Sequence, residues 1–173
     1  KLACVHSLAL YFPDYNLQWI ARTDASQLGV GGVLFQVYVD DAGESLQPIY
    51  FFGKMFSDPA KSWSTIKQEA FAIFYFCKKM EFYIRGKTFL LETDHRNLLW
   101  MENSTDNMVK RMTWFIQQFV TIIRHISGPR NYFADFISRT HPLSTQEATI
   151  NGLFHNLYMT VIANASQQLF LDY

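Results

Sequence analysis

Cysteine is scarce: Cys4 and Cys77 are the two in 173 residues. They are too few and too unpatterned for a disulfide framework or a thiolate zinc site, so the expectation is a reducing compartment and two inert thiols. No run of eighteen apolar residues is present, so no segment predicts a membrane-spanning helix. Net charge is lacking too. Fifteen Lys and Arg balance fifteen Asp and Glu, so bulk charge argues neither for nor against a polyanionic partner. No internal repeat or low-complexity tract is visible. The opening Lys1-Leu2-Ala3-Cys4 carries neither an initiator Met nor a cleavable signal, and the expectation is a piece of a longer chain. Asn103-Ser104-Thr105 and Asn164-Ala165-Ser166 match the glycosylation sequon, a pattern frequent by chance and without meaning in a cytosolic protein.

What is present is an apolar fraction of 49%, ample for the core of one domain with some chain to spare. After an aromatic-rich lead over 1–16, the run Leu17 to Arg22 reads as a strand closing on Thr23-Asp24. A second run, Thr88 to Glu92, closes on Thr93-Asp94. If the two lie side by side and parallel, Asp24 and Asp94 emerge at one sheet edge, where open α/β sheets place their ligands. Two acids held together are costly without a cation, so a divalent metal site is the first expectation.

Between them, Gly29 to Tyr38 predicts a β-branched, glycine-punctuated strand, Asp40 to Glu44 a turn, and Gln47 to Met55 an antiparallel partner. The glycines invite a phosphate-loop reading, but no Gly-Lys-Ser/Thr follows, and close strand packing is the expectation. From Ser64 to Ile84 the period becomes helical, with Ile66, Ala70, Ile73, Phe74, Cys77, Met80 and Ile84 on one face and Ser62, Ser64 or Thr65 as candidate caps. Glu69 stands at the margin of that stripe. Arg85-Gly86-Lys87 ends the helix. A short helix to about Glu102, a polar turn at Asn103 to Asn107, a helix to about Phe119, a strand from Val120 to Ile126, and a last helix capped by Asn131 and carrying Asp135 complete the reading. Residues 141–173 form an apolar, weakly patterned tail or linker.

The local wording narrows the class. Thr23-Asp24-Ala25-Ser26, Gly29 to Leu34, Trp63-Ser64-Thr65 with Gln68-Glu69-Ala70, Thr93-Asp94-His95, and Gly128 through Asn131 and Ala134-Asp135 to Ser138-Arg139 stand in order over residues 17–140. Together they resemble the ribonuclease H domain of gypsy-type LTR-retrotransposon reverse transcriptases. The resemblance implies an α/β ribonuclease H-like fold, a five-stranded mixed sheet flanked by helices, with residues 1–16 as a tether from an upstream polymerase or connection. It implies that Asp24, Glu69, Asp94 and Asp135 are catalytic, metal-binding carboxylates for two Mg²⁺ or Mn²⁺ ions ~4 Å apart. The implied reaction is hydrolysis of the RNA strand of an RNA/DNA hybrid during reverse transcription. The implied partners are that hybrid, an upstream polymerase domain and a downstream integrase in one polyprotein. The implied location is a cytoplasmic retroelement particle or the nucleus.

Ser26, Arg96 and Asn131 sit beside the acids as candidates for phosphate or ribose 2′-hydroxyl contacts, against local capping or solvation. His95, as the first residue of a helix, is expected to point away from the metal. Setting four of the fifteen acids at the site leaves fifteen basic against eleven acidic residues elsewhere, a mild excess for holding a duplex. Two departures weigh toward a weak or inactive connector module of the same fold. The loop Ser127-Gly128-Pro129-Arg130 lacks the histidine of cellular ribonucleases H, and no basic handle separates the middle helices. A DNA-cutting integrase of the same superfamily fits the Thr-Asp-His and Asn131 to Arg139 wording less well.

Overall fold

The computed structural model describes residues 10–119 and 122–140, and residues 10–140 form one compact unit. The tail over 141–173 and the first nine residues of the lead lie outside the described residues. Five strands form one sheet in the order β3-β2-β1-β4-β5: β1 (Trp19–Ala25), β2 (Gly29–Asp40), β3 (Gly43–Met55), β4 (Phe89–Thr93) and β5 (Ile122–His125). β1 pairs antiparallel with β2 and β2 with β3, while β1, β4 and β5 run parallel. This is the mixed sheet the resemblance implies, and the two Thr-Asp runs do lie side by side. β3 starts at Gly43, not Gln47. Asp40 pairs with Gly43 across a two-residue turn, and Gly43 takes φ +120°, which a side chain would resist.

Helices cover both faces. On one, α2 (Thr65–Ile84) lays Ile73, Phe76, Cys77, Met80 and Ile84 against Trp19, Ala21, Leu34, Phe89 and Leu91, and this cluster is the core. α3 (Asn107–Ile116) packs on α2, its first amides capped by the Asp106 carboxylate. A short α1 (Asp58–Lys61), opened by Pro59, was not foreseen. Ser64 takes the N-cap position of α2, but its side chain makes no cap bond there. Gly86, at φ +77°, lets the chain turn from α2 into β4. The segment after Asp94 is a 3-10 helix (Arg96–Asn103), closed by three-residue hydrogen bonds such as Leu98 N–H to the His95 carbonyl at 3.1 Å.

The described part of the lead is woven into the sheet. Tyr11 N–H donates to the Pro48 carbonyl at 2.8 Å, at the irregularity where β3 admits a proline. The Asp14 amide donates to Gln36 Oε1, and Trp19 Nε1 to the Asp14 carbonyl, both at 2.9 Å. No helix among the described residues is long and apolar enough to cross a membrane.

The opposite face carries α4 (Tyr132–Arg139), led in by a second 3-10 turn (Gly128–Asn131). α4 lies on β1, β2 and β3. It comes so close that a Cβ on Gly31 would stand 2.5 Å from Ser138 N, 2.7 Å from Ile137 Cβ and 2.8 Å from the Ala134 carbonyl oxygen. The glycine run of β2 therefore serves strand and helix packing, as expected over a phosphate loop. Gly31→Ala must displace α4, and with it Asp135 and Ser138. A loss of roughly 1–3 kcal/mol in urea unfolding is expected, within the range for overpacked sites. A variant as stable as the parent chain would contradict the contact.

Candidate functional site

Asp24 is the penultimate residue of β1 and Asp94 directly follows β4, so the parallel pairing sets both at one end of the sheet. Glu69 arrives from the first half of α2 and Asp135 from α4, one element on each face. Glu69 and Asp24 lie within electrostatic reach of the other acids: the Glu69 carboxyl responds to Asp24, Asp94 and Asp135, and that of Asp24 to Asp94 and Asp135. Asp24 is 5% exposed and Glu69 4%, whereas Asp94 and Asp135 are half-buried.

Burial first, then the charges of Asp24 and Asp94, pushes the Glu69 carboxyl up to about 9, against a backbone hydrogen bond from Ala25. Burial likewise raises Asp24 to about 6, opposed by the hydrogen bond from Ser138 and reinforced by Asp94 and Asp135. The site is thus a low-dielectric recess in which two carboxyls retain protons at pH values where an exposed acid has lost its own.

One oxygen of each aspartate is held by a neighbour. Ser138 Oγ donates to Asp24 Oδ2 at 2.6 Å, Asn131 Nδ2 to Asp94 Oδ1 at 3.0 Å, and Arg139 Nε to Asp135 Oδ1 at 2.6 Å. Glu69 Oε2 is buried without a hydrogen-bond partner, as are Asn131 Oδ1 and, beside Asp24 in the chain, Thr23 Oγ1. Unpaired buried oxygens are rare, so Glu69 Oε2, on an acid of the site, marks a place built for something besides stability. Hard oxygen donors carrying like charges are the donor set that Mg²⁺ or Mn²⁺ takes, so the residues fit the implied metals. As the side chains stand, however, no three His, Cys, Asp or Glu among the described residues close into a group that could hold an ion.

Among the neighbours, Ser26 Oγ donates to the Ser138 carbonyl at 2.6 Å and accepts from the Leu28 amide at 3.0 Å, tying β1 to α4. Asn131 takes the N-cap position of α4 but makes no cap bond. It bridges Asp94 and the Thr23 carbonyl instead, so the expected cap is a buried strut. Arg96 is exposed at the start of its 3-10 helix. His95, expected to point elsewhere, sets Nδ1 3.9 Å from Glu69 Oε1 and so stands at the site. His125 is the last residue of β5, beside Thr93. The histidine-free loop runs against the acids, since a Cβ on Gly128 would lie 3.5 Å from Asp94 Oδ2.

Sequence reading missed the part played by Ser138 and the ion pairs of Glu92 with Arg22 and Arg124. The strand alternation Arg22-x-Asp24 beside Glu92-x-Asp94 was the signal that could have revealed the second.

Residues 14–119, more than half of the chain, match the family model described as an RNase H-like domain found in reverse transcriptase. Asp24, Glu69 and Asp94 fall inside the match, and Asn131 and Asp135 beyond it. The chain is similar to the retrovirus-related Pol polyprotein from transposon 297 of Drosophila melanogaster, 30% identical over 141 residues, 80% of this chain and 13% of that protein. It is 31% identical over 132 residues, 73% of this chain, to the transposon Tf2-3 polyprotein of Schizosaccharomyces pombe, covering 10% of that protein. It therefore spans about an eighth or less of the length of these curated relatives. Among solved structures, the native prototype foamy virus protease-reverse transcriptase superposes with a TM-score of 0.57 at 10% identity, over 81% of this chain and 18% of that one. The foamy viral protease-reverse transcriptase in complex with RNA/DNA hybrid gives 0.53 at 9%, over 81% and 19%. At such identities the structures speak for the fold alone. The fold, the transposon relatives and the family match agree with the resemblance to gypsy-type retrotransposons, and the chain belongs to the RNase H-like domains found in reverse transcriptase.

Proposed function

We propose that this domain is a metal-dependent endonuclease that hydrolyses the RNA strand of RNA/DNA hybrids. The observation that supports the reading is the electrostatic coupling of Asp24 and Glu69 to one another and to Asp94 and Asp135, with Asp24 and Glu69 almost fully buried and raised in proton affinity. Asp24, Glu69, Asp94 and Asp135 would hold two Mg²⁺ or Mn²⁺ ions, which when bound supply charge neutralisation at the phosphate and acidify water. Glu69 supplies Oε2, the buried oxygen without a partner. Asp24, Asp94 and Asp135 each present their second oxygen while Ser138, Asn131 and Arg139 steady the first. Arg96 offers an exposed guanidinium to a phosphate of the hybrid, and the mild basic excess elsewhere makes that grip weak and salt-sensitive. Upstream polymerase and downstream integrase modules of one polyprotein, working in a retroelement particle or the nucleus, complete the proposal, with residues 1–16 as tether and 141–173 as tail or linker.

A second reading, a connector module without activity, is favoured by one observation: the aspartates are engaged with Ser138, Asn131 and Arg139 rather than closed on one point. Substitution separates the two. Asp94→Asn keeps the shape and the acceptor for Asn131 but removes a charge, so the melting temperature should hold while hybrid cleavage falls by more than the ~10–100-fold typical of outer-shell changes. Parent-level turnover in the variant would show that catalysis lies elsewhere, and no hybrid cleavage by the parent chain with Mn²⁺ would favour the connector.

Electrostatics give an independent check. Both shifted carboxyls bind protons more tightly folded than unfolded, so their contribution to stability is complete below their ordinary values of 3.8 and 4.5. It is lost as pH rises through about 6 for Asp24 and about 9 for Glu69. In EDTA the melting temperature should therefore decline from pH 4 to pH 9. Glu69→Gln should flatten the upper part of that decline, gaining roughly 1–3 kcal/mol at pH 9 and nearly nothing at pH 4. Addition of Mg²⁺ at pH 8 should raise the melting temperature of the parent but not of Glu69→Gln. Parallel curves for the two proteins would refute the buried-charge account.

A further inference from the structure

Outside the acid recess, Glu92 is the one charged residue among the described residues that is buried, at 2% exposure. It pairs in register with Arg22 on the neighbouring parallel strand. Because side chains alternate along a strand, Arg22 and Glu92 share a sheet face with Asp24 and Asp94, one row further back. Arg22 Nε donates to Glu92 Oε2 at 2.7 Å, and Arg124 of β5 donates through Nε to Oε1 at 3.1 Å, with a second contact from its Nη2. Both carboxylate oxygens are filled, and three strands are joined at one point.

The guanidinium of Arg22 reaches further. Its Nη1 donates to the carbonyl of Arg130 at 3.0 Å. Arg130 immediately precedes Asn131, whose Nδ2 holds Asp94 Oδ1 and the Thr23 carbonyl. The position of Asn131 cannot be attributed to capping of α4, since its side chain makes no cap bond. A buried ion pair is often no more stabilising than an apolar pair of the same size, so stability alone is a poor reason for this one. What a guanidinium adds is a rigid fork: Nε and Nη1 lie in one plane at a fixed angle, whereas the single nitrogen of Lys is a point charge on a flexible stem and does not reproduce that spacing.

We propose that Arg22, aligned by Glu92, is a positioning residue, whose second donor fixes the Arg130 carbonyl and thereby holds the Asn131 amide against Asp94. Its consequence for catalysis rests on the reading of Asp94 as a metal-facing carboxylate. Its consequence for Asn131 does not.

The test uses the full 173-residue chain, ¹⁵N-labelled and metal-free. Arg22→Lys retains a charge for Glu92 but loses the grip on Arg130. The Asn131 side-chain NH₂ protons are expected to exchange with solvent at least tenfold faster than in the parent, while the backbone amides of α2 keep their protection. The Mn²⁺ midpoint followed by thermal shift should rise roughly tenfold, as for outer-shell partners, with the KM for hybrid unchanged and kcat reduced. If Arg22→Lys does not fold, Arg22→Met combined with Glu92→Leu, which leaves no lone buried charge, should give the same loosening of Asn131. Asn131 protons protected as in the parent would overturn the proposal, even if activity fell. Loosened Asn131 protons with an unchanged Mn²⁺ midpoint and unchanged cleavage would leave Arg22 a positioning residue and refute the assignment of Asp94 to the metal site.

Discussion

A helix can lie on a strand at backbone contact only where the strand carries no side chain, and Gly31 provides that gap beneath Ala134, Ile137 and Ser138. The site depends on this contact. It brings the Ser138 hydroxyl to Asp24, sets Asp135 over the same end of the sheet, and fixes where the turn before α4 must run, hence where Asn131 meets Asp94. The remaining two acids come from elements anchored independently, β4 by register with β1 and α2 by its apolar face on the core. One acid therefore reports on α4, while two report on the sheet and one on α2.

The recess works against its own stability. Like charges raise one another's proton affinity, and burial does so more strongly. A large apolar core, from Trp19 and Phe76 to Phe89 and Leu91, maintains the fold while the acids stay unneutralised. Around them the partners are graded by charge: a hydroxyl on Asp24, an amide on Asp94, a guanidinium on Asp135. Glu92 shows the opposite solution on the same sheet face. Burial would raise its carboxyl, but hydrogen bonds from Arg124 and Arg22 outweigh this and hold it below its ordinary value. Two neighbouring rows of one sheet thus hold one saturated carboxylate and one unsaturated cluster.

Much of this was legible in the residues. The period change at Ser64, the two Thr-Asp strands and the glycine run of β2 each carry their conformation locally, and the side-by-side, parallel placement of β1 and β4 is the one expected from their shared ending. The grouping of Asp24, Glu69, Asp94 and Asp135 came from the ordered motifs of the resemblance, since Glu69 and Asp135 taken alone read as ordinary helical acids. What escaped was set by tertiary contact. Nothing around Asn131 tells a cap from a strut, because the difference lies in Thr23 and Asp94, far away in the chain. His95 faces Glu69 because its segment winds as a 3-10 helix and it takes the extended cap position, which changes the direction expected of an α-helical first turn. The lead read as a tether, yet its amides at Tyr11 and Asp14 find acceptors on β3 and β2, a pairing that no local pattern announces.

The central claim is that the four carboxylates form a site for divalent cations, and crystals grown with Mn²⁺ test it most directly through anomalous scattering. The account requires two anomalous peaks in the recess, with Asp24, Glu69, Asp94 and Asp135 all among the ligands. Peaks bound elsewhere, or a recess that stays without anomalous signal while Glu69 Oε2 keeps no partner, would contradict it.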